Sequence, residues 1–343
     1  MLLLILGHFL FAGEPDNMYA RSVATAQDPY ANEDINRVVN TTIKLRLGSY
    51  NDFVQGCKPE KLYEFLKEDF DKNFPAVYQS TKLNVHFVGP LKSENLPYKN
   101  QPQGKGICAV KGSFKAPYNS KSYSPTVKVK ANGKTFFIGV DKVDHFFSHS
   151  YLYWKMMEED PTLPPDKIQR MLDLGIDQED GVWGLKCYSV KSYGDLAANY
   201  HGIAFWRDLL KGKPPLIACE NGRYVQKKQF DIANYIDASM DESINCNSYD
   251  SAEVLNGLKT EWDKKKLKCP ADENSCAELR TSLPKEVAAK ILHPRCLGTG
   301  TEQIEKPEEI STQDYLDAVS ILLLNKQVPP RPRASPKAEK ATQ

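Results

Sequence analysis

The stretch 135–161, TFFIGVDKVDHFFSHSYLYWKMMEEDP, with its continuation 181–206, GVWGLKCYSVKSYGDLAANYHGIAFW, holds three of the four tryptophans and three of the six histidines. Val143–Met157 reads as a helix of about four turns. Val143, Phe146, Phe147, Ser150, Tyr151, Trp154 and Met157 fall on one side at three- and four-residue spacing, the pattern of a core-facing helix. Asp141, His145, Ser148, His149, Leu152 and Met156 form a stripe on the other side. A helix apolar nearly all round is expected inside the protein, and its polar groups then need partners. The polar residues of 188–201, namely Tyr188, Ser189, Ser192, Tyr193, Asp195, Asn199 and His201, are the candidates. The expected arrangement is a central helix facing a strand–turn–helix unit across a cleft.

Working toward the N-terminus, Thr126–Val129 and Thr135–Gly139 read as strands joined by Asn132-Gly133, a turn pair that tolerates positive φ. Ile107–Phe114 and Leu83–Val88 have strand composition, Pro59–Asn73 has one apolar helical face, and VVNTTIKLRLGSY (38–50) alternates like a half-buried strand. Residues 35–140 are therefore expected to be a β-rich segment. Toward the C-terminus, helices are expected over Lys167–Leu174, Tyr193–Leu210, Ala252–Lys266, Ser275–Leu292 and Thr312–Leu324. Residues 181–190 suggest a short hairpin, a second Asn-Gly turn at 221–222 joins two more strands, and 236–246 is polar loop. The fold class is thus α+β: a β-rich N-terminal segment followed by a mainly helical domain, 141–326, with a small β-hairpin and a cleft. Residues 327–343 lack large apolar side chains and read as a disordered tail.

Leu2–Ala12 is a short apolar run, too short to span a bilayer, so 1–13 reads as a secretory signal, although no Lys or Arg precedes the run. Residues 14–34 read as a flexible leader. Eight cysteines, all beyond that signal, point to an oxidising compartment and up to four disulfides. Pairs close in sequence, such as Cys57–Cys108 and Cys269–Cys276, illustrate the options, since spacing does not fix connectivity. The expected location is secreted or periplasmic, with no stable membrane insertion. Forty-five basic against forty-four acidic residues, a net charge of +1, argue against nucleic acid as a partner. Oligomeric state is not legible.

Three chemistries suit these residues. Glu158 and Glu159 close the central helix, and Glu179 and Asp180 precede Gly181; a glycosidase needs one carboxyl kept protonated by an apolar wall, which Trp154 and Trp183 can supply, and a second carboxylate across the bond. His145 and His149, four apart, with Asp141 one turn earlier and His201 or Asp195 as further ligands, have the spacing for a metal-dependent hydrolase, although the glutamate of HExxH is missing. The same surfaces also suit a non-catalytic cell-envelope glycan binder.

A helix ending in an acid, then a small glycine-rich hairpin, then a buried helix resembles the core of the lysozyme superfamily, its goose-type and bacterial peptidoglycan-cleaving members in particular. DKVDHFF with SYGDLAANYHGIAFW is similar to segments of a predatory-bacterium lysozyme group acting on deacetylated peptidoglycan. The likeness covers only the stretch quoted first. It implies a peptidoglycan-directed glycosidase with peptidoglycan or another glycan as partner and no cofactor. Glu159 or Glu158 would be the acid, and Asp195 or Asp144 the group that orients water or stabilises positive charge. His145, His149, Ser192, Tyr193, Asn199, His201 and Trp183 would face substrate. The sequence departs from the pattern in having no glutamate in the helix body between Asp144 and Met157, where Ser148 and His149 stand.

Overall fold

The computed structural model describes residues 17–79, 86–88, 125–159, 167–181 and 184–300. The strand at 107–114, the helix at 312–324, the signal, the tail and Trp183 lie outside them. The chain is an α+β protein dominated by helices. A short helix α1 (Asn17–Val23) comes first, where a flexible leader is expected; its Asn17, Met18 and Ala20 are buried.

Residues 38–50 are the main correction. They belong to a helix, α2 (Asn32–Phe53), not a strand. The buried residues Ile35, Val39, Ile43, Leu47 and Tyr50 recur every three or four positions, a helical stripe that the apparent alternation of VVNTTIKLRL conceals. The β-branched run lowers helix propensity only slightly, and burial of the stripe outweighs it. Helix α3 (Pro59–Gln79) buries Leu62, Leu66 and Phe70 beside it. The asparagines of α2 act as substitutes for a neighbouring strand. Asn51 receives the Tyr224 N–H at 2.8 Å and donates to the Tyr224 carbonyl at 2.8 Å, and Asn40 does the same with Phe230 at 2.8 and 2.9 Å.

The expected hairpin forms as β2 (Thr126–Ala131) and β3 (Lys134–Gly139), with Asn132 and Gly133 at φ 49° and 76°. A two-residue strand, β1 (Phe87–Val88), completes this antiparallel sheet. The central helix, α4, runs Val140–Asp144, widens into a π-helical turn at His145–His149, and continues as Ser150–Glu159. Helix α5 extends past the expected glycine stop, over Lys167–Asp180. Residues 182 and 183 of the hairpin expected at 181–190 lie outside the described residues, and those described from Gly184 onward do not form it. Leu185–Tyr188 is one helical turn (α6), and β4 (Val190–Ser192) pairs instead with β7 (Asn247–Tyr249). Helix α7 (Tyr193–Lys211) follows, then the hairpin β5 (Ile217–Glu220) and β6 (Arg223–Gln226). Four helices end the described chain: α8 (Ala252–Lys264), α9 (Glu273–Ser282), α10 (Lys285–Ile291) and α11 (Pro294–Leu297).

The main core runs across residue 140: Phe70 of α3 stacks on Phe147 of α4 at 4.8 Å, and Phe205 and Trp206 of α7 close around both. The Trp206 indole N–H donates to the Phe147 carbonyl at 3.0 Å. A smaller cluster gathers Met18, Val190, Tyr249, Leu258 and Trp262 around α8. Three disulfides, Cys57–Cys219, Cys246–Cys269 and Cys276–Cys296, tie the described chain. The pairs Cys57–Cys108 and Cys269–Cys276 are thereby corrected: Cys57 bonds Cys219, Cys269 bonds Cys246, and Cys276 of α9 bonds Cys296 of α11. No described helix is long and apolar enough to cross a membrane.

Candidate functional site

The two polar edges expected to face each other across a cleft meet through Asp141, His145, Asp195 and Asn199, but in a closed interior around a buried lysine and not across an open cleft. Lys142, the third residue of α4, has a fully buried side chain. Its ammonium donates to Asp141 Oδ2 at 2.7 Å and forms ion pairs with Asp195 Oδ1 at 2.7 Å and Glu242 Oε1 at 2.8 Å.

The start of α7 orders the other side. Ser192 is its N-cap: Oγ accepts from the Asp195 N–H at 3.0 Å and donates to Glu242 Oε1 at 2.6 Å. The Ser192 N–H donates to Glu179 Oε2 at 3.1 Å, tying the end of α5 to the same point. Gly194 leaves the space this needs, because a Cβ there would stand 2.9 Å from Glu242 Cγ and 3.0 Å from Lys142 Cε. Gly184 is equally constrained, since its Cβ would fall 2.0 Å from the Glu179 carbonyl oxygen.

His145 opens the π turn. Its Nδ1 is 3.3 Å from Asn199 Oδ1 and its Nε2 is 3.4 Å from Asp195 Oδ2. His149 stacks on it at 4.1 Å. One ligand atom each from His145, Glu179 and Asp195 lie within 4.8 Å of one another.

The electrostatics follow from burial. Four carboxyl groups, Asp141, Glu179, Asp195 and Glu242, all less than a tenth exposed, gather near the Lys142 ammonium, and Lys191, the other buried cation acting on Glu179, is itself ion-paired with Asp180. A buried net charge of that size is too costly to persist, so protons or a cation must offset it. Burial, only partly countered by Lys142 and reinforced by Asp195 and Glu242, raises the Asp141 carboxyl to about 7. Burial and the nearby Asp195 push Glu179 well above the usual carboxylate range. Burial, with His149 and Lys142 nearby, drives the His145 imidazole well below its ordinary value and keeps it neutral.

The other expected site residues are placed elsewhere. Glu158 lies at the far end of α4, partly exposed and paired with Lys211. Glu159 is the last residue of that helix, and its side chain is outside the described part. Asp144 accepts from Ser148 Oγ at 2.7 Å within its own helix. His201 sits 3.2 Å from Asp237 Oδ2 and 3.2 Å from Ser239 Oγ, and the ligand atoms that gather among the described residues are those of His145, Glu179 and Asp195, not the set Asp141, His145, His149 and His201. Asp237, which burial alone would raise, is held down to about 2 by His201 and the Ser239 hydrogen bonds.

Tyr193 packs edge-on against His293 at 5.2 Å. Burial, with Arg295 and Lys191 near, lowers the His293 imidazole to about 4. The unfolded chain takes up that proton near the ordinary value of 6.5, while the folded protein does so only near 4. Stability from neutral His293 is therefore lost as pH falls between those values, by up to roughly 3 kcal/mol. Asp141, shifted the opposite way, gains over much of the same range. Urea unfolding of wild type and His293→Asn isolates the histidine: wild type is expected to lose about 2 kcal/mol more than the variant on acidification.

Sequence reasoning missed Lys142 and Glu242. A lysine within VDKVDHFF was the available signal; nothing in the polar 236–246 segment marked Glu242. No family model matches this chain, and no curated protein or solved structure matches it.

Proposed function

We propose that this cluster is the acid–base centre of a hydrolase acting on a glycan outside the cytoplasm, with peptidoglycan as the first substrate to test. One observation carries the reading: an oxygen of Glu179 and an oxygen of Asp195 lie within 4.8 Å. Retaining glycosidases hold their two carboxyl groups about 5–5.5 Å apart, whereas inverting enzymes need about 6.5–9.5 Å. Glu179, kept protonated by burial, would donate to the leaving oxygen. Asp195, in ion pair with Lys142, would stabilise or attack the sugar from the other side. Three disulfides among the described residues accord with an oxidising compartment. Glu158 is replaced in this role because it pairs with Lys211 and does not join the cluster, and the Glu159 side chain lies outside the described part.

The cluster is closed from solvent in this conformation, so the reading also requires an open form. Zymography on acetylated and deacetylated wall tests both requirements. Wild type and Glu158→Gln are expected to clear one of the walls, and Glu179→Gln and Asp195→Asn to lose activity by a factor of about 10² or more. Absence of clearing by wild type on either wall, or clearing retained by folded Glu179→Gln, overturns the assignment.

A further inference from the structure

We propose that His145, Glu179 and Asp195 form a binding site for a divalent transition-metal ion with mixed nitrogen and oxygen ligands, zinc or manganese in character. The three ligands come from α4, α5 and α7, and their ligand atoms already lie within 4.8 Å of one another. The inference stands on this geometry and not on the hydrolase reading.

Each ligand has its other polar atom fixed from outside, as metal ligands characteristically do. Asn199 Oδ1 lies 3.3 Å from His145 Nδ1, and in the tautomer with the proton on Nδ1 the Nε2 lone pair is directed inward. Lys142 stands in ion pair with Asp195 Oδ1 at 2.7 Å, an oxygen that accepts no hydrogen bond from the described residues. The Ser192 N–H occupies Glu179 Oε2. What these contacts leave over, His145 Nε2 and Asp195 Oδ2, are two lone-pair donors facing each other 3.4 Å apart. In that tautomer two acceptors at this distance repel unless a cation lies between them. The surplus of carboxylates over ammonium in the cluster argues the same way.

Glu179 cannot ligate an ion and donate a proton at once. An occupied centre is therefore silent for the acid–base reaction proposed above, and ion and proton compete for one carboxylate.

The test uses the full chain, stripped with chelator and dialysed, titrated calorimetrically with zinc and manganese chlorides, with magnesium and calcium chlorides as comparators. The expected result is one zinc or manganese ion per chain and a raised melting temperature. Binding should weaken at least tenfold in both His145→Gln and Glu179→Gln, each checked for folding by circular dichroism, so that either variant serves if the other fails to fold. A cobalt-loaded sample should show visible bands that disappear in the same variants. No zinc or manganese binding by wild type, or undiminished binding in a folded variant, overturns the site. Binding without wall clearing by the stripped protein removes the hydrolase and keeps the ion site; clearing without binding does the reverse.

Discussion

Lys142→Met is expected to destabilise the protein by about 3–5 kcal/mol near neutral pH, the range for removing one partner of a buried ion pair. Methionine is close to the lysine stem in length and fills much the same space, so the loss isolates the ammonium. Asp141, Asp195 and Glu242 would then be buried without their shared cation. The pH dependence distinguishes this cause from poor packing. Carboxyl groups deprived of a cation take protons at higher pH in the folded protein than in the unfolded chain. Their penalty is thus largest above the folded-state values and is relieved as pH falls through them. Denaturant unfolding of wild type and variant at neutral and mildly acidic pH should show the gap narrowing on acidification. A gap that stays constant with pH would mean that the methionine fits badly and that the charge argument is wrong.

Gly202→Ala is expected to have an effect of similar size by a purely steric route. A Cβ at this position would lie 2.1 Å from the Phe146 carbonyl oxygen and 2.3 Å from Ser150 Oγ. The carbonyl belongs to the backbone of α4 and cannot rotate away, so α4 and α7 would have to separate. That separation would pull His145 from Asp195 and Asn199, and it would open the stack of Phe147, Phe205 and Trp206. Overpacking costs typically 1–3 kcal/mol and more where backbone must move, so a large fall in melting temperature or failure to fold is expected. Gly48→Ala is the control. Gly48 sits inside α2 with nothing within 4 Å of the position a Cβ would take, and alanine there is expected to add roughly 0.5–1 kcal/mol. Equal effects from the two substitutions would refute the packing argument.

What was legible in the sequence was the interior character of α4 and its pairing with α7. Asp141, His145, Asp195 and Asn199 could be found because helical periodicity places them on faces. Asn132-Gly133 and Asn221-Gly222 were legible because each is a local backbone requirement. The identity of 38–50 was not, since a β-branched alternation and a stripe repeating every four residues coexist there, and only the packing partner of α2 decides between them. Glu242 was invisible for a related reason. It reaches the cluster through tertiary contacts with Ser192 and Lys142, fifty and a hundred residues away in the chain, and no short-range pattern encodes such a meeting. Glu158 and Glu159 stand at a helix end, which is all the sequence pattern can show of them, whereas the acid that joins the cluster, Glu179, lies at the end of the neighbouring helix.

The Cys57–Cys219 bridge closes a covalent ring with a sequence separation of 162. His145, Glu179 and Asp195 all lie on that ring, while Glu242 approaches from outside it. A protease that severs the chain once anywhere between the two cysteines therefore yields no separable fragments. The nicked molecule should migrate as one species on a gel until a thiol is added, and it should keep its ligand set together through that single cut.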